Sequence, residues 1–345
     1  MKARKATSVD IAYMAGVSQS TVSRALRNSP LVNPETRAKV HEIAKQLNYK
    51  VDKNAASLRT QQSQTLALLL FEDRATDDSM INPFFLSMLG NITRAAANAG
   101  YDLLVSFQQL SEDWHSEYEV ASRADGLILL GYGDYITYQP KLEVLAQEGA
   151  HFIIWGPIVQ GQPGHSLGCD NYLGGTIAAN HLIELGRRKP VFIGDASEHC
   201  PEFLLRYEGF CDTLKKAGID PPAPQFALNE EQAGYQAMQG LLESKVDFDS
   251  LFTASDLMAI GAMKALKQKG IKVPEQISVI GFDDIMASQY VNPALTTVHQ
   301  DTQRSGEILV QNLIALIRGE EVDSQLIRPS LVVRDSCGAK RYSNG

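Results

Sequence analysis

The sequence predicts an α/β protein of two parts: a small all-α domain at the N-terminus and a larger, two-lobed body of parallel α/β subdomains. Three observations predict this fold class. Apolar residues recur at helical spacing over residues 9–47, short apolar strands alternate with long helices after residue 64, and charge is unevenly divided. The first sixty residues hold 11 Lys/Arg and 4 Asp/Glu, whereas the other 285 hold 21 and 36. We therefore expect a basic N-terminal module joined to an acidic body.

Composition excludes several classes of protein. A chain of 345 residues with 44% hydrophobic residues can build two or three cores, which excludes wholesale disorder. The longest aliphatic run, residues 66–71, is far shorter than the roughly 20 residues of a membrane helix, and no signal-peptide core follows the basic N-terminus. The four cysteines have neither CxxC nor Cys/His spacing: Cys169, Cys200, Cys211 and Cys337. We predict a cytoplasmic protein with no cofactor, metal or membrane partner.

The sequence predicts three helices in the N-terminal module. Ser8 is the predicted N-cap of a helix over 9–15, and Gly16 supplies a sharp turn. Ser18 then caps a second helix that runs to about residue 28. Asn33, followed by proline, caps a third helix. Two short helices joined through a glycine turn predict a helix-turn-helix, whose second helix enters the major groove of DNA.

The second helix carries the side chains that we expect to contact DNA. Glutamine can pair bidentately with adenine and arginine with guanine, so Gln19, Ser20 and Arg24 are predicted to reach base edges. Thr21, Ser23 and Arg27 are predicted to meet phosphates. The alternative is an ordinary three-helix bundle with a solvated polar face.

Three segments carry a family resemblance. TSVDIAYMAGVSQSTVSRAL, NPETRAKVHEIAKQLNY and NAASLRT resemble the lactose/galactose-repressor family of bacterial transcription factors, and the likeness continues to about residue 335. The resemblance implies a body like type I periplasmic binding proteins and a homodimer on a palindromic DNA operator. It also implies a hinge helix whose leucine wedges into the minor groove. The predicted DNA-contacting set is completed by Ser8, Ser18, Asn33, Tyr49, Ala55 and Leu58.

The predicted hinge helix spans only a few residues around Ala55, Ala56 and Leu58. So short a segment cannot hold a helix alone, and we expect it to fold only with a dimer partner and DNA. An inserted apolar side chain would kink the duplex. The alternative is a linker that is flexible throughout. The family's Pro-Asn hinge entrance is replaced by Val51-Asp52, and Asp52 near phosphates is expected to loosen the hinge.

Strands and helices alternate through the body. The predicted strands are 66–71, 103–107, 126–130, 151–154, 191–194, 250–254, 277–281 and 331–333, and the predicted helices are 83–99, 173–185, 204–217 and 257–269. The segment GPIVQGQPGHS predicts a hinge between two lobes near residue 160. The predicted domains are 1–50, a hinge and linker at 51–62, a first lobe of 63–160 with 291–322, and a second lobe of 161–290 with 323–340.

Ligands of such folds bind at the carboxyl ends of the strands, in the cleft between lobes. Polar residues follow the predicted strands at Asp170, Asn171, Ser255, Asp256 and Asp283. The resemblance places Arg206 and Asp283 where the family holds sugar hydroxyls, with Asp170 and Asn171 nearby. Carboxylate and guanidinium groups suit vicinal hydroxyls because each makes two hydrogen bonds in one plane. Phe84, Phe85 and Trp155 are candidates for stacking on a sugar face.

Four of the candidate cleft residues also have a structural explanation. Helix capping accounts for Asp170, Ser255 and Asp256 as well as ligand contact does. Trp155 equally fits a core position. Asn229 lies where some family members place a sugar-stacking aromatic, which predicts a different ligand geometry here.

These features together predict a sequence-specific transcriptional repressor of carbohydrate-metabolism genes, with a sugar or sugar phosphate as effector. Alternatives are a cytoplasmic sugar-binding protein of periplasmic type, or a regulator that responds to a nucleoside, a purine or a protein co-effector. An enzyme is not expected, because GxSxG, P-loop and HExxH motifs are missing. No leucine heptad follows the last predicted strand, which favours a dimer over a tetramer.

Overall fold

The computed structural model describes residues 6–26, 28–49, 62–71, 81–108, 113–131 and 134–339. The chain divides into two compact units, Met1–Ser63 and Gln64–Gly345. The first unit contains helices α1 (Ser8–Ala15), α2 (Gln19–Leu26) and α3 (Pro34–Gln46). Its small core is built from the buried faces of all three helices, including Ile11, Val22 and Val40. Gly16 closes the turn after α1 with a φ of +69°, which confirms the predicted helix-turn-helix.

The caps of these helices confirm two predictions and correct one. Ser18 Oγ accepts from the Thr21 amide at 3.2 Å, and Asn33 Oδ1 accepts from the Thr36 amide at 2.7 Å. The predicted cap at Ser8 is wrong, because Thr7 holds that position. The Thr7 amide donates to Asp10 Oδ2 at 2.8 Å, and Thr7 Oγ1 accepts from the Asp10 amide at 3.4 Å. This reciprocal pair is a capping box, which starts α1 one residue earlier.

The first lobe of the body is built on a parallel six-stranded sheet in the order β11-β5-β4-β3-β1-β2. Its strands are β1 (Thr65–Phe71), β2 (Asp102–Gln108), β3 (Leu127–Leu130), β4 (Phe152–Trp155), β5 (His165–Cys169) and β11 (Gln325–Ile327). The associated helices are α4 (Pro83–Asn98), α5 (Tyr135–Gln147), a π-helical turn (Ser116–Val120) and α10 (Thr302–Ile317).

The second lobe is built on a sheet in the order β12-β10-β9-β8-β6-β7, in which only β12 runs antiparallel. Its strands are β6 (Pro190–Ile193), β7 (Pro224–Gln225), β8 (Ser250–Thr253), β9 (Ser278–Asp283), β10 (Thr296–His299) and β12 (Ser330–Val332). Its helices are α6 (Asn171–Glu184), α7 (Pro201–Lys216), α8 (Glu231–Glu243), α9 (Asp256–Gln268) and a 3₁₀ turn (Met286–Gln289). Strands β6, β8 and β9 are buried throughout, as expected of parallel strands covered on both faces.

The chain exchanges lobes at different places from those predicted. Strand β5 was assigned to the second lobe but pairs with β4, and β10 was assigned to the first lobe but pairs with β9. Strand β11, assigned to the second lobe, pairs with β5. The crossings lie after β5, after β10 and between β11 and β12. The Gly/Pro-rich segment near residue 160 is a loop within the first lobe, because such composition marks a turn and not the sheet to which the chain returns.

Within the part of the chain that the structure describes, no helix combines the length and apolarity needed to cross a membrane.

Candidate functional site

Helix α2 turns a polar face outward from the first unit. Val22 and Ala25 are buried in the small core, whereas Gln19, Ser20 and Arg24 are exposed. Gln19 Nε2 donates to Ser8 Oγ at 2.8 Å, and the Ser18 and Ser20 hydroxyls lie 2.8 Å apart. Exposed residues four positions apart lie on one side of a helix, so Ser20 and Arg24 share a face. This face offers donors and acceptors to an external partner.

The other residues predicted to contact DNA differ in how far they are exposed. Thr21, Ser23 and Ser8 are partly buried, and Asn33 is exposed while it caps α3. Tyr49 is partly buried and packs against the core of the first unit. Arg27, Ala55 and Leu58 lie outside the described residues.

Two contacts join the lobes of the body at the carboxyl ends of their strands. His199 Nδ1 lies 2.8 Å from Asp134 Oδ1, and the Tyr135 amide donates to the His199 carbonyl at 3.0 Å. Asp134 and Tyr135 follow β3 in the first lobe, and His199 follows β6 in the second. The carboxyl edges of the two sheets therefore border one cleft, where ligands of parallel α/β folds bind.

Arg206 is the centre of a buried network at this edge of the second lobe. Its side chain is fully buried. Nε donates to Asn171 Oδ1 at 2.8 Å, and Nη1 donates to the Ala254 carbonyl. Nη1 also lies 3.6 Å from Asp283 Oδ1, and the guanidinium carbon lies 3.7 Å from the centre of the Phe282 ring. These partners fix the plane of the guanidinium, which is the orientation that a bidentate contact requires.

Glycines allow α6 and α7 to approach closely enough to build this network. A Cβ atom on Gly175 would lie 1.9 Å from the Arg206 carbonyl oxygen, and one on Gly209 would lie 2.0 Å from the Tyr172 carbonyl oxygen. No side chain fits at either position without separating the helices. The close crossing brings Asn171, at the start of α6, against Arg206 in α7.

Asp283 ends β9 in a strained conformation. Its φ of +110° lies outside the regions that non-glycine residues favour, a feature that is common in functional sites. The side chain is buried, and Oδ1 accepts from Gln300 Nε2 at 2.7 Å. Gln300 lies at the crossing between β10 and α10, so this bond links the end of β9 to a lobe crossing.

The predicted effector residues Asp170, Ser255 and Asp256 each accept hydrogen bonds from within the protein. Asp170 Oδ1 caps α6 by accepting from the Leu173 amide at 2.9 Å, and Ser255 Oγ caps α9 by accepting from Met258 at 3.4 Å. Asp256 is fully buried, and its carboxylate accepts from Ser288 and Thr297, both at 2.6 Å. Burial raises the pKa of Asp256 to about 8. Helix capping thus describes Asp170 and Ser255, whereas Asp256 follows the cap of α9 and instead accepts hydrogen bonds from the segment after β9 and from β10. Effector contact by these three residues stays a prediction.

The three predicted aromatic residues form a cluster on the first lobe. Phe84 lies at the start of α4, with its ring centre 5.3 Å from that of Phe85 and 6.0 Å from that of Trp155 at the end of β4. None of the three side chains is more than 4% exposed. Their positions after β1 and at the end of β4 place the cluster at the carboxyl edge of the first sheet.

Two buried residues near the Arg206 network, Glu202 and Asn229, are not among the effector contacts predicted from the sequence. Glu202 precedes Arg206 by one helical turn and is 6% exposed, and burial raises its pKa to about 7. The four-residue spacing to Arg206 was the available signal. Asn229 was noted only for lacking an aromatic ring. It is 7% exposed, and neither carboxamide atom has a hydrogen-bond partner among the described residues.

Comparison with family models matches both parts of the chain. Residues 8–52 match the model "Bacterial regulatory proteins, lacI family", and residues 179–337 match the model "Periplasmic binding protein-like domain". The first match covers the helix-turn-helix, and the second covers most of the second lobe.

Similar proteins span nearly the same length. The ribose operon repressor of Escherichia coli (strain K12) is 31% identical over 342 residues, covering 96% of this chain and 99% of that protein. The HTH-type transcriptional repressor PurR of Haemophilus influenzae (strain PittEE) is 31% identical over 345 residues, covering 96% and 98%. Among solved structures, the lac repressor dimer bound to operator and the anti-inducer ONPF superposes with a TM-score of 0.82 at 26% identity, covering 96% and 99%. The complex of the transcriptional regulator CelR with cellobiose gives 0.70 at 26% identity, covering 96% and 99%.

Proposed function

The chain belongs to the lacI family of bacterial transcription regulators, and we propose that it is a cytoplasmic repressor that binds a palindromic operator as a homodimer. It is a regulator with a DNA-binding domain and an effector-binding domain, and its relatives are transcriptional repressors rather than enzymes. The observation that carries the proposal is the exposed polar face of α2 in a helix-turn-helix, on the same chain as the Arg206 network.

The DNA contacts follow from the exposed face of α2. In the major groove, Gln19 pairs with adenine and Arg24 with guanine, while Ser20 accepts or donates at either base. Thr21, Ser23 and Arg27 hold phosphates, which set the register without reading sequence.

A second copy of the chain is the proposed partner for apolar side chains exposed on the body. Val105 and Phe107 lie on β2, the edge strand of the first sheet, and are 41% and 55% exposed. Leu86 on α4, which packs beside β2, is 55% exposed. Exposed apolar patches of this kind mark protein interfaces. A two-fold pairing of the body matches the symmetry of a palindromic operator.

The proposed effector is a small carbohydrate bound in the cleft, and the proposed targets are genes of carbohydrate metabolism. The ring of Phe282 and the amide of Asn171 fix the Arg206 guanidinium beside Asp283. A guanidinium and a carboxylate side by side suit the hydroxyls of a sugar. The similarity to a ribose operon repressor and to a cellobiose-bound regulator supports the same class of ligand.

Ligand binding is proposed to lower operator affinity through the hinge. Closure of the lobes separates the hinge segments of the two subunits, which unfolds them and weakens DNA binding by a coupling free energy of about 1–3 kcal/mol. The Leu58→Ala variant tests this step. Operator affinity is expected to fall while ligand affinity stays the same, because only the minor-groove wedge is lost. Unchanged operator affinity would show that Leu58 is not a wedge.

Thermal melting against a ligand panel tests the effector. The panel contains mono- and disaccharides, sugar phosphates, nucleosides and purines, so that it includes the alternatives left by the sequence. A ligand at one hundred times its dissociation constant stabilises the folded state by about 2.7 kcal/mol. One stabilising carbohydrate that also releases the operator is the expected result. No stabilising compound, or release by a purine alone, would contradict the carbohydrate effector.

A further inference from the structure

Asn229 is a buried polar side chain whose carboxamide makes no hydrogen bond to the described residues. It lies between β7 and α8 and is 7% exposed, yet neither Oδ1 nor Nδ2 has a partner among the described residues. The adjacent Glu230 makes no capping hydrogen bond to α8, and its Oε1 is also unpaired. Buried polar groups in folded proteins are nearly always hydrogen-bonded, so each unpaired group calls for an explanation such as a missing ligand.

The position of Asn229 is set by the pairing of β7. Gln225 at the end of β7 is in parallel register with Ile193 at the end of β6. Asn229 therefore follows the carboxyl end of the second sheet, the same end at which Ala254 accepts from Arg206 and Asp283 ends β9. The unpaired carboxamide and the Arg206 network belong to one edge of the second lobe, the edge that borders the cleft.

The buried charges of this edge disfavour an anion. In the described ranges, Arg206 is the only buried side chain with a positive charge, and the buried acids are Glu202, Asp256 and Asp283. The guanidinium is already bound by Asn171, the Ala254 carbonyl and Asp283. A phosphorylated ligand would therefore place its charge at an edge where the one buried cation among the described residues is already bound, and a buried charge without a partner is costly.

We infer that the cleft takes an uncharged ligand with a hydrogen-bond donor and acceptor side by side, and that Asn229 selects it through both atoms of its carboxamide. The inference rests on the proposed function, that is, on a small molecule bound between the lobes. Vicinal hydroxyls or an amide edge satisfy Oδ1 and Nδ2 together. A phosphate dianion placed at Asn229 itself would supply acceptors only and would leave Oδ1 unpaired.

The first test is the stability of the ligand-free Asn229→Leu variant of the full chain. Leucine has the same branching at Cγ as asparagine and no polar atom. Because the substitution removes an unpaired buried amide, the melting temperature is expected to stay the same or rise. Asn171→Leu is the matched control, and its melting temperature should fall because it breaks the bond to Arg206. A fall in Asn229→Leu equal to that of the control would overturn the inference, since Asn229 would then have a structural partner.

The second test is calorimetric titration with matched neutral and phosphorylated probes. The pairs are D-ribose with D-ribose 5-phosphate, D-glucose with D-glucose 6-phosphate, cellobiose with its 6-phosphate, and adenosine with AMP. One neutral probe is expected to bind at least about tenfold more tightly than its phosphorylated partner, and to lose about tenfold or more in Asn229→Leu.

Three results of the titration would overturn the inference: a phosphorylated probe that binds as tightly as its neutral partner, neutral binding that survives Asn229→Leu, or no binding of any neutral probe. Operator binding of both proteins is measured in parallel. If wild type binds operator normally, these results count against the ligand assignment alone. If wild type fails to bind operator, the proposed function itself fails.

Discussion

The orientation of Arg206 depends on partners from three elements: Asn171 at the start of α6, Ala254 after β8, and the Phe282–Asp283 end of β9. The pattern of polar residues after strands indicated Asn171 and Asp283, the family resemblance added Arg206, and neither indicated Ala254 or Phe282. A helix pattern such as LLRYEGF shows that an arginine lies on a helix, but not that it is buried, because burial depends on partners distant in the sequence. Asn229 shows the same limit, since an unpaired amide can be recognised only in the folded structure.

Replacement of Arg206 by alanine is expected to destabilise the body by about 3–5 kcal/mol, because Asp283 and Asn171 would lose their buried partner. The ligand-induced thermal shift should be lost as well. Urea unfolding of the full chain measures the first effect. Arg304→Ala is the control, an exposed arginine in the first turn of α10, and is expected to change stability by less than about 0.5 kcal/mol. Equal effects of the two substitutions would contradict the described network.

Glu202 should make stability depend on pH. Burial raises its pKa from 4.5 to about 7 in the folded protein, so the folded state binds the proton more tightly than the unfolded state. The stabilisation that protonated Glu202 gives the folded state is therefore lost as pH rises from 4.5 to about 7, and the free energy of unfolding falls. The Glu202→Gln variant should be more stable than wild type by about 3 kcal/mol near pH 8, and equal to it near pH 4.5.

Urea unfolding across this pH range measures the Glu202 effect. The matched control is Glu208→Gln, an exposed glutamate on the same helix, which should follow the wild-type pH profile. A Glu202→Gln profile that runs parallel to wild type would show that Glu202 does not hold its proton in the folded state.

At the scale of helices and strands, local signals predicted most elements but not their assembly. Helix starts at Ser18 and Asn33 followed from capping chemistry, and apolar runs located the central strands of both sheets. The three lobe crossings were misplaced, because hydrophobic periodicity specifies the type of an element and not the sheet that it joins. Short strands such as β7 and β11 have too few residues to show a pattern.

The capping box at Thr7 gives a test within α1. Thr7→Ala should weaken α1 by about 1 kcal/mol, because it removes the acceptor for the Asp10 amide. Hydrogen exchange of the α1 amides in the full chain should then be about fivefold faster. Ser8→Ala should change exchange much less, since Ser8 is the first residue of the helix and not its cap. A larger effect of Ser8→Ala would restore the original prediction.

The crossing of α6 and α7 gives a second test at this scale. Gly175→Ala places a Cβ atom against the Arg206 carbonyl, so it should separate the helices, lower stability and weaken ligand binding. Gly240→Ala in α8 meets no atom within 4 Å and should instead stabilise the chain by about 0.5–1 kcal/mol. Thermal melting and ligand titration distinguish them. Similar behaviour of the two variants would contradict the close crossing.

At the scale of the whole molecule, the uneven charge of the chain agrees with DNA binding by the N-terminal module and ligand binding by the body. The basic N-terminal module suits the phosphates of DNA, while the acidic body, whose one buried arginine among the described residues is already bound, is proposed to take an uncharged ligand. The sequence predicted the two-part plan because both parts have strong patterns. It left the effector open, because selectivity depends on the pairing and burial of a few side chains.

Selection of DNA from a random duplex library by the purified full-length protein tests whether the chain binds a palindromic operator. We expect a palindrome to be enriched, with one homodimer bound per site, and binding to weaken as salt rises. Arg24→Ala should reduce affinity for the selected site by about 1–3 kcal/mol and relax its preference at one base pair of each half-site. No enriched palindrome would contradict the assignment of this chain as an operator-binding regulator, and equal binding by wild type and Arg24→Ala would contradict the proposed base contact of Arg24.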